Sequence, residues 1–291
     1  MESEIAAWLL AHGFPRWICP DALTFVGIAG FGGGYAVLRV AKQVGARLDE
    51  EARTILLAFV ASWLGGFLFE AAFKVPEVIA QRSLEPVRNG GADMYAALVA
   101  GSVVPATYRF FRRLPIAEYL DRSTLLWGLT IACTRLGCFM NGCDFGFPTS
   151  SFVGLRFPQG TPAANLHTSL GWVRQGAPSL PLHPTQLYEA ALGLGTALLA
   201  WFCIRPRARA GQAFVAWFGM YAAGRFFVEF LRADASRSLV PGLTNGQMTS
   251  VMVTIAAVVV LFSRRLAIFE KSPGLSKVRV EPESEAHVAS T

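Results

Sequence analysis

Seven apolar stretches, near residues 21–40, 55–75, 95–111, 123–140, 185–204, 211–231 and 246–263, set the firmest limit on what this chain can fold into. Each is close to the roughly 17 to 25 residues an α-helix needs to cross a hydrocarbon core, the third being short. Only 16% of the 291 residues are charged, where a soluble domain carries roughly 25%. Lipid is therefore the expected solvent, and the expected fold is all-α and polytopic, with about seven transmembrane helices in a lipid bilayer.

The basic residues are sorted by side. Sixteen Lys and Arg lie in or beside the segments that follow the first, third, fifth and seventh stretches, and eight lie on the opposite side although its loops are longer. By the positive-inside rule the N-terminus is outside and the C-terminus cytoplasmic. The net charge of +6 is thus distributed by topology rather than gathered in a patch, so nucleic acid is not an expected partner. Of the 26 basic residues, Arg135 and Arg225 alone are left over, both inside predicted spans. A charge there requires a partner.

Residues 1–20 read as an interfacial lead-in, since Glu2 and Glu4 stand where a secretory signal would be basic. Residues 21–268 form one integral domain without the paired halves of a transporter, and 269–291 read as a disordered cytoplasmic tail. Two outer segments are long, 76–94 and 145–182. The Pro, Gly, Ser and Thr content of the second predicts an ordered cap over an outward-facing site. The run Gly30, Gly32, Gly33, Gly34 lacks the Lys-Ser/Thr ending of a phosphate loop and predicts close helix packing or a local break.

The chemistry concentrates in three places. From Thr134 to Gly146, at the outer end of the fourth stretch, small and polar residues replace aliphatics around Arg135. Its partner is either a carboxylate such as Glu189 or Glu229, making a structural salt bridge, or an anionic ligand such as a phospholipid phosphate. Tyr221, Arg225, Glu229 and Arg232 fall on one face of the sixth stretch; Arg225 and Glu229 can simply neutralise each other while Arg232 snorkels. His183, Gln186 and Glu189 share a face at the start of the fifth, with Pro184 in its first turn. Cys138 and Cys143 can form a disulfide if the helix ends between them in an oxidising compartment; a covalent lipid intermediate on Cys143 is the sharper alternative. Cys19 and Cys203 read as packing or interface residues. No four-ligand metal set is present.

Taken in order, these motifs resemble the bacterial phosphatidylglycerol:prolipoprotein diacylglyceryl transferase family. The fourth stretch is similar to the family's Gly-Arg-x-Gly-Asn-Phe-x-Asn-x-Glu-x-x-Gly signature, with Arg135, Phe139, Asn141, Gly142 and Gly146 matching. His183 to Glu189 (HPTQLYE) resembles His-Pro-Ser-Gln-Leu-Tyr-Glu, and Tyr221 to Arg232 resembles Tyr-Gly-x-x-Arg-Phe-x-x-Glu-Phe-x-Arg. Gly246, Gln247 and Ser250 match the entry to the last span. The departures are definite: Cys138 stands at the family's Asn, Cys143 at its Glu with Asp144 one position later, and Tyr95 where the family's third span has a proposed catalytic His.

The resemblance implies transfer of diacylglyceryl from phosphatidylglycerol to the lipobox cysteine of a preprolipoprotein in the bacterial inner membrane, releasing glycerol-1-phosphate, with no cofactor. It implies that Arg135 and Arg225 hold the phosphate, with Arg232 in support, and leaves His183 as the base, oriented by Glu189. Tyr95, Asn141, Gly146, Gln186, Tyr188 and Glu229 are the implied substrate-binding residues. The alternative is an altered or inactive paralogue that binds phospholipid or lipoprotein.

Overall fold

The computed structural model describes residues 22–84, 94–206, 209–233 and 242–263; the lead-in 1–20, the tail 269–291 and Cys19 lie outside them. Among the described residues the regular structure is helical: α1 (Ala22–Gln43), α2 (Leu48–Gln81), α3 (Met94–Phe111), α4 (Ile116–Asn141), the short α5 (Pro162–Ser169), α6 (Thr185–Leu199), α7 (Gln212–Glu229) and α8 (Asn245–Phe262). All seven apolar stretches are helical. Four of these helices are long and apolar enough to cross a membrane: α2 over Leu48–Ala72, α4, α6 with its continuation to Ile204, and α8. α3 and α7 are diluted by polar residues, Arg109 in α3, and Arg225 and Glu229 in α7.

α4 is the hub, packing on α1, α6, α7 and α3, while α2 pairs with α3 and α7 with α8. Trp127 and Ile131 of α4 meet Ala197 of α6 and Trp217 and Tyr221 of α7 in the main core. Apolar side chains that a soluble protein would bury point outward instead, among them Phe31, Trp63, Phe110, Phe202, Phe227 and Phe262. That is the surface expected of a bundle bathed in acyl chains. Close packing holds at Gly33, where a Cβ would collide with the Leu126 side chain of α4 and crowd its backbone, but not at Gly32 or Gly34.

Three boundaries differ from the sequence reading. α2 runs through Pro76 to Gln81, so the segment read as a loop from 76 is helical for its first six residues; a proline inside a helix is tolerated where neighbouring helices support it. α4 starts at Ile116, not near 123, and α6 starts at Thr185, with Pro184 outside it as N-cap and His183 before that. The early start of α4 was hidden because its first two turns are polar, yet buried. Asp121 accepts the backbone N–H of Gly211 (2.8 Å) and Phe214 (3.0 Å) at the head of α7. Arg122 Nη2 donates to Glu51 of α2 at 2.6 Å.

Glu51 also meets Arg109 Nη1 of α3 at 3.1 Å, with all three side chains at most 5% exposed. Arg109 lies 4.8 Å over the Tyr119 ring and donates its Nε to Pro115 O. Arg109 and Arg122 therefore join Arg135 and Arg225 as buried cations, although topology alone accounted for them in the sequence. Removing Glu51 leaves two guanidiniums buried together, which costs about 3–5 kcal/mol. Glu51→Ala is expected to lower the thermal unfolding midpoint in detergent far more than exposed Lys42→Ala; equal shifts would show that the cluster holds nothing together.

Candidate active site

At the opposite end of the bundle, Glu189 stands on the second turn of α6 with its carboxylate 1% exposed. Oε2 lies 3.0 Å from Arg135 Nε of α4, and Oε1 lies 2.9 Å from Arg225 Nη1 of α7. Tyr221 Oη donates to Oε1 at 2.9 Å. Each guanidinium then reaches a second acid: Arg135 Nη1 donates to Asp144 Oδ2 at 2.8 Å, and Arg225 Nη2 lies 3.2 Å from Glu229 Oε2. Arg232 donates Nη2 to Asp144 Oδ1 and brings Nε to 4.0 Å from Glu229 Oε2. The order Glu189, Arg135, Asp144, Arg232, Glu229, Arg225 and back to Glu189 closes a ring of alternating charge whose formal sum is zero. Of the two carboxylates expected as partners of Arg135, Glu189 pairs with it and Glu229 pairs with Arg225 instead.

The ring is electrostatically closed but not saturated. Arg135 Nε and Arg225 Nε and Nη1 find no aligned hydrogen-bond acceptor among the described residues, and Glu229 Oε2 finds no donor. Contact at 3 Å without alignment gives charge neutralisation while leaving donors for another oxygen.

Neighbouring elements hold the ring in place. Thr244 caps α8 through a reciprocal pair of bonds with Gln247, and its Oγ1 also donates to Glu229 Oε1 at 3.0 Å. Gly246 sits so close to Glu229 that any Cβ would strike the carboxylate. Tyr95 Oη pairs with Ser250 Oγ at 2.6 Å, and the Arg225 guanidinium lies 5.9 Å over its ring. Met94 Sδ receives a hydrogen bond from Arg135 Nη2 (3.3 Å) and lies 3.2 Å from Tyr221 Oη. The sequence reading missed Met94 and Thr244, and named Asp144 and Tyr221 without a site role. Of the two it missed, only Thr244 had a signal, the Thr-x-x-Gln capping pattern.

Asp144 reaches the ring from a tight turn. α4 stops at Gly142 (φ 70°), and Asp144 itself is left-handed (φ 56°), a costly conformation for a residue with a side chain. The turn is pinned from α6: Gln186 Nε2 donates to Cys143 O and Thr185 Oγ1 to Asp144 O, both at 2.6 Å. Beyond it, residues 145–182 fold around Phe145, Phe157, Ala163 and Leu182 with Met140, and Thr161 caps α5.

The remaining expected site residues fare differently. His183 does not meet Glu189; its Nδ1 lies 3.2 Å from Tyr188 Oη, because residue 183 precedes the helix and leaves the face the spacing implied. Gly146 has a backbone role: it bonds to His183 O, and a Cβ would lie 2.7 Å from both His183 O and Leu231 O. Gln186 holds the turn rather than facing the ring. Asn141, at the end of α4, is exposed. Cys138 and Cys143 are both free thiols.

Fold and site together define a helical membrane protein with a buried, neutral ring of arginines and acids at one end of its bundle. The chain belongs to the prolipoprotein diacylglyceryl transferase family, whose model matches residues 23–263. It is 34% identical over 209 residues to the phosphatidylglycerol–prolipoprotein diacylglyceryl transferase of Bordetella parapertussis, covering 69% of this chain and 73% of that one. Its identity to the enzyme of the same name from Clostridium tetani is 26% over 223 residues, 75% of this chain and 82% of the other. The resemblance carried by the motifs is thereby borne out.

Burial alone would raise the Asp144 carboxyl, but Arg135 and Arg232 outweigh it and hold it at about 2. An unfolded Asp titrates near about 3.9, so the stabilisation from Asp144 is complete above that and is lost as pH falls toward 2. The gap in unfolding midpoint between wild type and Asp144→Asn should therefore stay constant from neutral pH down to about 5 and shrink below about 4. A constant gap through the acid range would refute the pairing.

Proposed function

We propose that this chain transfers the diacylglyceryl group of phosphatidylglycerol to the lipobox cysteine thiol of a preprolipoprotein, and that its charged ring receives the lipid phosphate. In this reaction the acceptor thiol loses its proton, and the thiolate attacks the glycerol carbon that bears the phosphate ester. The C–O bond breaks and its electron pair leaves on glycerol-1-phosphate. Charge grows on the departing phosphate oxygen, where preorganised donors in a dry site are most effective. Guanidiniums suit the task because they stay charged and bind two oxygens at once.

The observation that carries this reading is the set of unaligned N–H donors on Arg135 and Arg225 within a ring that is otherwise neutral. For a phosphate to enter, one acid has to yield its place. Asp144 is the candidate, because its side chain is 26% exposed while Glu189 and Glu229 are 1% and 4% exposed. Displaced from Arg135 and Arg232, it would leave both guanidiniums to the phosphate, with Glu189 holding Arg135 beside Arg225. His183, beside Tyr188 and one strand-like contact from Arg232 through Gly146, takes the thiol proton. Tyr95 fills the place of the family's histidine and supports Arg225 rather than acting as a base.

The same reading makes α1 to α4 and α6 to α8 seven spans of the bacterial inner membrane, within an integral domain of 21–268. The N-terminus is outside and the ring and the 145–182 cap are at the outer face. The sorting of basic residues supports it. So does the placement of the ring at the C-terminal ends of α4 and α7 but the N-terminal ends of α6 and α8, as antiparallel spans require.

The test is to incubate purified protein with labelled phosphatidylglycerol and a lipobox peptide, with the Bordetella parapertussis enzyme run alongside. Thioether-linked diacylglyceryl peptide is the expected product; its absence, with the relative active, would favour the phospholipid-binding paralogue. Arg135→Lys and Arg225→Lys keep the charge but lose the fork, and each should cost about 10²–10³ in kcat. Full turnover in either would remove the phosphate from the ring.

A further inference from the structure

Gly142 N donates to Phe139 O at 3.1 Å and Cys143 N to Cys138 O at 3.2 Å. Those two bonds around a left-handed glycine make the Schellman motif, in which the residue after the glycine folds back over the residue five before it. Cys138 and Cys143 occupy those two positions. On a continuing helix they would point about 140° apart; here their sulfurs and a carboxylate oxygen of Asp144 all lie within 4.8 Å of one another. Both thiols are half-buried, unlike buried Cys133 and exposed Cys203.

We propose that Cys138 and Cys143 are a reversible oxidation site that forms a disulfide across the end of α4. The closeness of a third group, Asp144, invites a metal ion instead, but both carboxylate oxygens are engaged by Arg135 and Arg232, and two guanidiniums oppose a cation there. The oxidant is a disulfide-bearing thiol reagent. One cysteine thiolate attacks its S–S bond, releasing one thiol and forming a mixed disulfide. The second thiolate attacks the protein-bound sulfur, releasing the other thiol; the two protons lost by the cysteines end on the two released thiols, and the oxidant's disulfide is reduced. The bond closes the turn that carries Asp144 without requiring α4 to unwind, because the backbone already brings the two residues together. The pairing stands on this geometry alone, whatever group the ring accepts.

The full chain in detergent is treated with oxidised glutathione, quenched in acid, alkylated and digested with trypsin. Cleavage after Arg135 and Arg156 puts both cysteines in one peptide, Leu136 to Arg156, separate from Cys133. The expected result is that this peptide loses two hydrogens and takes up no alkylating reagent, and that dithiothreitol restores two labels, while Cys203 is not drawn into the pair. Two alkylated thiols after oxidation would overturn the proposal. In Cys143→Ser, Cys138 should remain alkylated or glutathionylated; its disappearance into a bond with another cysteine of the chain would equally overturn the pairing.

Discussion

One carboxylate organises the end of the bundle that matters for chemistry. Glu189 holds a guanidinium from α4 and another from α7 on its two oxygens, and each of those cations would otherwise face hydrocarbon or its like-charged neighbour. A buried charge is tolerated only with partners of good geometry, so the positions of three helices are tied to one side chain. The other acids extend this to a closed ring, which makes the site neutral at rest. In the proposed reaction that neutrality would make an anion enter by exchange, with Asp144, the least buried acid, as the one exchanged.

Much of the fold was legible because membrane crossing is a matter of length and composition, and every apolar stretch became a helix. Boundaries failed where polar residues are buried in pairs. Glu51, Asp121 and Arg122 look like loop residues to a hydropathy reading, and nothing local announces that the three are matched across α2, α4 and α7. The same blindness made Arg109 and Arg122 look like ordinary cytoplasmic flanks.

Within the site, Arg135 and Arg225 were conspicuous as cations without a topological reason, and Glu189 and Glu229 were among their expected partners. The route of Asp144 was not legible, since it depends on a left-handed turn held by Thr185 and Gln186 from a helix more than forty residues on. The failure at His183 has a simple cause: helical spacing was extended across Pro184, where the helix has not yet begun. The glycine between two cysteines was the one local sign of how α4 ends.

The two buried charge clusters differ in when their parts leave the ribosome. Glu51 precedes Arg109 and Arg122, so each of those arginines is made after its counter-ion. Arg135 comes before Asp144, Glu189 and the rest of its ring, and waits through the whole 145–182 segment for α6. During that interval Asp144 is the one acid of the ring already made for Arg135. Synthesis therefore runs from a helix group neutral on arrival to one completed only when α7 and α8 dock, and the site is the last part of the molecule to exist.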